Sequence, residues 1–153
     1  MLETMAERDE RLMGEALEEA RRAAREGEVP VGAVVALAGR IIARTHNLTE
    51  RLRDVTAHAE MLAITSASEY LNGKFLPECT LYVTVEPCSM CAGAIGWARF
   101  RRVVYGASDP RKGFTRLYAD ERGPLHPDTE LTSGVLAEEC ASLMREFFRG
   151  RRK

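Results

Sequence analysis

Residues 80–107, TLYVTVEPCSMCAGAIGWARFRRVVYGA, alternate strand-like and helix-like composition. Residues 80–85 and 101–107 are dense in β-branched and aromatic side chains, the composition of buried strands, and the segment between them is compatible with a helix. Strand, helix and strand in that order make a crossover, which predicts a parallel pair. On the C-terminal side, a loop with several Gly and Pro residues covers 108–127, residues 130–133 add a short strand, and residues 135–149 read as a last helix. On the N-terminal side, residues 57–69 place Met61, Leu62, Ile64 and Ala67 at helical spacing, after a polar and irregular segment over 46–55. Residues 31–45 read as two strands joined by a tight turn at Gly39. Residues 5–26 carry Leu12, Met13, Ala16, Leu17, Ala20, Ala23 and Ala24 on one helical stripe, ended by Gly27 and Pro30. The order predicts an α/β fold with helices on both faces of one sheet, in a single domain over residues 1–153.

At 153 residues, 45% hydrophobic and 29% charged, the chain suits one domain with a proper core. A net charge of −1 gives no global attraction to nucleic acid, so any such contact must be local. The start MLETMAERDE lacks the basic residues and apolar run of a secretory signal. The longest apolar stretch, residues 29–38, is broken by Pro30 and Gly32 and is too short for a membrane span. These features predict a cytoplasmic protein with no membrane partner. In a reducing compartment, clustered cysteines point to metal or redox chemistry before disulfides.

Two local patterns carry chemistry: His58-Ala59-Glu60 at the start of the second helix, and Pro87-Cys88-Ser89-Met90-Cys91 directly after a strand. One imidazole and two thiolates leave the fourth tetrahedral position of a zinc ion open for water, the arrangement of a catalytic site. Cys88 and Cys91 are three apart, so on a first helical turn their sulfurs face the same way, and the helix N-terminus favours thiolates. His58 and Glu60 are two apart, roughly 200° around a regular helix, so sharing one cavity requires an irregular first turn. Glu60 is the candidate general acid and base, moving protons between an activated water, a ring nitrogen and a leaving amine. A structural zinc site would need a fourth ligand from Cys79, Cys140, His46 or His126, none of which has motif spacing. A redox pair at Cys88 and Cys91 would leave His58 and Glu60 unexplained.

These patterns resemble the cytidine deaminase-like superfamily, whose nucleobase deaminases carry H-x-E…P-C-x-x-C. Within it, EVPVGAVV (28–35), THN (45–47), TAHAEMLAI (56–64), TLYVTVEPCSMCAGAI (80–95), RRVVYGASDP (101–110) and GVLAEECASLMREFFRGRR (134–152) resemble, in order, the bacterial tRNA-specific adenosine deaminases. The resemblance implies a three-layer α/β/α sandwich with a five-stranded mixed sheet, one Zn2+ per subunit, and a homodimer. It also implies conversion of the wobble adenosine of a tRNA anticodon stem-loop to inosine. By the same resemblance His58, Cys88 and Cys91 are zinc ligands and Glu60 is the proton shuttle. Asn47 matches a residue that hydrogen-bonds the flipped nucleotide, Val29 and Pro30 match positions lining the base pocket, and Ala59 belongs to that pocket. Read without it, Asn47 is equally a turn former, and Val29 and Pro30 a helix-to-strand loop.

Local charge gives RNA binding separate support. Six basic residues (Arg99, Arg101, Arg102, Arg111, Lys112 and Arg116) face one acid, Asp109, and residues 145–153 hold five basics against Glu146. Phe147 and Phe148 read as core, with support of a base by one of them as the alternative. After Asp109 the chain leaves the family's pattern with PRKGFTRLYADERGPLHP, where Phe114 or Tyr118 could stack on a flipped base or close the pocket over a free one. Two rival readings follow: a deaminase of a free base such as guanine or cytosine, and a catalytically silent RNA-binding subunit. The retained Glu60 argues against the second.

Overall fold

The computed structural model describes residues 2–151. Thr4 opens α1 (Met5–Arg25): its hydroxyl accepts from the Glu7 N–H at 3.0 Å, and the Glu7 carboxylate accepts from the Thr4 N–H at 2.9 Å. This reciprocal cap satisfies donors that a helix start otherwise leaves free. Strands β1 (Gly32–Leu37) and β2 (Arg40–His46) form the expected hairpin, turned by Ala38 and Gly39 with φ of 52° and 78°. Positive φ at both turn positions matches the twist of the flanking strands.

The polar segment after β2, expected to be irregular, contains a one-turn helix, α2 (Thr49–Leu52). Its start is held by buried Glu28, whose two oxygens accept from the N–H groups of Glu50 and Arg51 at 2.9 and 2.8 Å. There follow α3 (Ala59–Leu71), β3 (Cys79–Val85), α4 (Ser89–Ala98), β4 (Arg102–Ala107), a 3-10 turn at Phe114–Leu117, β5 (Glu130–Thr132) and α5 (Ala137–Arg151).

The sheet is five-stranded in the order β2-β1-β3-β4-β5. β1 runs antiparallel to β2 and β3, while β3, β4 and β5 are parallel, so the predicted crossover is present. Alternation along the strands feeds two cores. Ala33, Val35, Leu81, Val83, Val103 and Tyr105 pack under α3 and α4. Val34, Ala36, Tyr82 and Val104 pack under α1 and α5 with Leu12, Met13, Ala16 and Leu17. The result is the three-layer α/β/α sandwich, with a mixed sheet in the middle. Ala59, Ala63 and Ala67, four apart and buried, let α3 lie close on the sheet.

The loop over 108–127 is packed. Phe114 is buried in the core beneath α4, so it is neither a stacking surface nor a lid, while Tyr118 stays exposed. Arg122 ties the far end by donating to the carbonyls of His126 and Thr129, and the Thr129 hydroxyl donates to the Phe100 carbonyl at 2.5 Å. Phe147 and Phe148 correct the sequence reading in the opposite sense: they pair edge to face at 5.3 Å, and neither is buried.

Arg102 also departs from expectation. Its guanidinium is buried and makes two 2.7 Å hydrogen bonds to Asp9, and one at 3.0 Å to the Thr132 hydroxyl, so it is unavailable to RNA. The Tyr82 hydroxyl also donates to Asp9, at 2.7 Å. Burial pushes the Asp9 carboxyl up, but Arg102 and Tyr82 outweigh it and hold the group below the ordinary aspartate value. Replacing Asp9 with Ala strands a buried guanidinium and a buried hydroxyl, and should cost about 3–5 kcal/mol. Because the folded carboxyl is the stronger acid, its contribution is full above the unfolded value near 4 and is lost as pH falls below it. Denaturant titrations of the wild type and Asp9→Ala should therefore differ fully at pH 7 and converge in acid. A constant difference would place the cost in packing.

Candidate active site

His58 and Cys88 occupy the same kind of position. Each is the N-cap of its helix, α3 and α4, with extended backbone at φ −73°, ψ 153° and φ −73°, ψ 173°. This resolves the angular problem posed by the sequence: His58 lies outside the helical turns, so the 100° step between helical residues does not apply between it and Ala59. The chain reaches this geometry through Asp54, whose carboxylate accepts from both the N–H and the hydroxyl of Thr56 at 2.8 and 2.7 Å. The Thr45 hydroxyl donates to the Ala59 carbonyl at 2.7 Å and pins the first turn of α3 to β2. Pro87 carries the chain from the C-terminal end of β3 to Cys88. Clefts at the carboxyl ends of strands are the usual ligand site in open α/β sheets.

The two helix starts bring three ligand atoms together. His58 Nδ1 lies 3.7 Å from Cys88 Sγ and 3.5 Å from Cys91 Sγ. A zinc ion bound tetrahedrally to nitrogen and sulfur separates such atoms by roughly 3.6 Å, so the donor set fits zinc without rearrangement. Among the described residues these three form the only group of this kind. The alternative fourth ligands are elsewhere. Cys79 and Cys140 are buried in the two cores, and His46 has both ring nitrogens engaged, at 2.9 Å by Glu19 and 3.0 Å by Glu26. His126 contacts the backbone of Asp128.

Protons in the cluster are shared unevenly. The hydrogen bond from the Cys91 thiol holds the Cys88 thiol down at about 4 against desolvation, with His58 adding to the effect. Cys91 is pushed up by the same bond, and the Cys88 thiolate raises His58. Glu60, in the first turn of α3, is 4% exposed, and burial pushes its carboxyl up to about 7. Its own backbone N–H and His58 pull it down, and the Cys88 thiolate pushes it up.

The expected pocket residues are placed as follows. Asn47 is buried, with its amide donating to the Val29 carbonyl at 3.3 Å and its oxygen accepting from the Thr49 N–H at 3.2 Å. Asn47, Val29 and the start of α2 are thus one unit. Pro30 is buried beside them in the chain, and Ala59 is fully buried in the core, so only its backbone is free to meet a ligand. A cleft of about 420 Å³ opens beside His58, lined by Thr49, Glu50, Arg53, Asp54 and Val55. Sequence reasoning missed Glu28, Asp54 and Glu86. Each is an acid whose oxygens take backbone N–H groups of a loop at the site, and no spacing rule signals that arrangement.

Residues 6–107 match the model of the cytidine and deoxycytidylate deaminase zinc-binding region. The tRNA-specific adenosine deaminase of Bacillus subtilis (strain 168) is 48% identical over 149 residues, covering 95% of this chain and 91% of the relative. A solved structure from work on A-to-I editing by tRNA:A34 deaminases at the wobble position of transfer RNA superposes with a TM-score of 0.80. It is 46% identical and covers 87% of this chain and 98% of its own. A guanine deaminase from Nitrosomonas europaea superposes at 0.76 with 28% identity, covering 90% and 83%. The chain belongs to the cytidine and deoxycytidylate deaminase zinc-binding family, in the branch of the tRNA-specific adenosine deaminases.

Proposed function

We propose that this protein hydrolytically deaminates adenosine to inosine at the wobble position of a tRNA anticodon. The observation that carries the chemistry is the cluster of His58, Cys88 and Cys91 at tetrahedral-edge distances, with buried Glu60 against it. The tRNA assignment is supported by identities of 46–48% over 87–95% of this chain to tRNA deaminases, against 28% over 90% and 40% over only 65% of it to two guanine deaminases on the same fold.

His58, Cys88 and Cys91 hold one Zn2+. When bound, the ion supplies the Lewis acidity that makes a water nucleophilic near neutral pH. Glu60 takes one proton of the attacking water and passes it to the ring nitrogen beside the reacting carbon; it then takes the proton left on the added hydroxyl and delivers it to the amine, which leaves as ammonia as the carbonyl forms. A carboxyl raised by burial suits both directions of transfer. The Ala59 N–H, in the first turn of α3 and unpaired within the helix, is a donor for the purine edge. Asn47, with the Val29 carbonyl and Pro30, shapes the opposite wall. The whole chain, residues 1–153, acts as one catalytic domain in the cytoplasm, where reduced thiols are available to zinc. Among the described residues no helix is long and apolar enough to cross a membrane.

A homodimer is supported by exposed apolar side chains at one end of the α3–α4 layer: Tyr70, Leu71, Phe75 and Trp97, the last 78% exposed. Light scattering should give twice 17.0 kDa for the wild type, and Trp97→Asp should shift it toward the single-chain mass. A single-chain mass for the wild type would remove the dimer.

Glu60→Ala should keep its zinc by elemental analysis and lose about 10²–10⁴-fold in kcat. Cys88→Ala should lose the metal and some stability with it, because zinc binding and folding are coupled. Turnover retained in Glu60→Ala would remove Glu60 from the proton path.

Given an anticodon stem-loop with a wobble adenosine, and in parallel free adenine, guanine and cytosine, the enzyme should release ammonia from the stem-loop alone. Its apparent affinity should fall steeply with salt as phosphate contacts are screened. Ammonia from a free base, indifferent to salt, would keep the zinc chemistry and discard the RNA.

A further inference from the structure

Glu86, between β3 and Pro87, is 5% exposed and has no part in moving protons at the reacting base. Its two oxygens accept three hydrogen bonds, from the Asp109 N–H at 3.0 Å, the Thr115 N–H at 3.0 Å and the Thr115 hydroxyl at 2.7 Å. Its own N–H donates to the Ala107 carbonyl at 2.8 Å. All three donors belong to the loop that leaves β4, so one carboxylate holds both ends of a seven-residue turn. A Cβ at Gly113 would lie 2.2 Å from the Glu86 carboxyl, so only glycine lets the loop settle on it.

The same loop is joined to the ligand-bearing start of α4. The Phe114 N–H donates to the Pro87 carbonyl at 2.9 Å, and Gly113 bridges to Cys88. The Asp109 carboxylate accepts from the N–H groups of Arg111 and Lys112 at 3.1 and 3.0 Å, and tightens the turn between them. Arg111, Lys112 and Arg116 stand exposed around it. Of the basic residues clustered over 99–116, Arg102 is committed to Asp9 and the Arg99 guanidinium lies over the Phe75 ring at 4.4 Å. Arg101 precedes β4, at the end of the sheet away from Cys88, so the exposed cations of this cluster at the ligand end are the ones that Glu86 places.

We infer that Glu86 is a positioning residue for the nucleic-acid substrate: it pins the 109–115 loop so that Arg111, Lys112 and Arg116 meet the phosphates flanking the flipped nucleotide. The inference rests on the tRNA reading above. Glu86→Gln keeps the shape but turns an NH2 toward a backbone N–H, and so releases the loop. KM for the anticodon stem-loop should rise about tenfold, on the scale of one charged hydrogen bond, while zinc content is unchanged and kcat stays within about twofold. Thr115→Val, which removes only one of the three donors, should shift KM in the same direction by a smaller factor. It decides the matter alone if Glu86→Gln does not fold. In an Arg111→Ala, Lys112→Ala, Arg116→Ala background, whose salt dependence should be flatter, Glu86→Gln should add less than about twofold, because its effect runs through those cations.

A fall in kcat at unchanged KM, or a full tenfold effect in the triple background, would overturn the proposal and make Glu86 a support for Cys88 alone. A wild-type enzyme that ignores the stem-loop and deaminates a free base would remove the tRNA reading and this proposal with it. The wild-type arm thus separates the two failures.

Discussion

The N-termini of α3 and α4 converge at the carboxyl end of β3, and the rest of the molecule holds them there. Each helix begins on a residue of the group able to hold a metal, His58 and Cys88, in extended conformation at the mouth rather than on a helical face. Two positive helix ends at one point favour anionic sulfur and lower the cost of gathering thiolates in a half-buried site. The alanine stripe of α3 sets its height above the sheet, and the β3–α4–β4 crossover sets α4 beside it. Neither helix can shift without moving a ligand atom away from the tetrahedral edge.

Most of this architecture was legible in the sequence because it rests on periodicity and on local motifs. The crossover follows from apolar runs on either side of a helical segment, the hairpin from a turn at Gly39, and the metal group from two short patterns. What was hidden depends on partners distant in the chain. Arg102 looked like one of several surface cations until β4 placed it over Asp9, some ninety residues earlier, in a buried pair. Phe114 looked like a loop aromatic because nothing local says that the 3-10 turn folds back beneath α4. The short helix α2 buries no side chain and owes its start to Glu28, which lies outside residues 46–55. Phe147 and Phe148 were read as core because α5 is amphipathic, but the sheet covers only its first half.

Buried acids here are satisfied in two ways, and the choice follows their position. Asp9, between α1 and the sheet, is neutralised by a guanidinium and a phenol, a pairing that fixes one packing of layers far from the site. Glu28 and Glu86, at the two sides of the mouth, take backbone N–H groups instead. Backbone donors are set by the chain path, so a carboxylate that collects two or three of them defines a loop conformation more tightly than an exposed ion pair with flexible side chains. Glu60, the acid to which we assign proton transfer, differs from these in that burial dominates its acidity.

This division explains how one fold serves different substrates. The ligand atoms and Glu60 sit on helix starts braced by the sheet, and a guanine deaminase with 28% identity shares that frame at a TM-score of 0.76. The parts of this chain that surround the shared frame at the mouth are the α2 cleft beside His58 and the segment leaving β4. In this chain that segment is anchored at both ends, by Glu86 near the zinc ligands and by Arg122 at the far side, with Phe114 sunk between. A segment tied at three points behaves as a fixed wall, not as a lid that closes over a free base. A fixed wall bearing cations suits a substrate that brings its own phosphates and presents an extruded base to a preformed cavity.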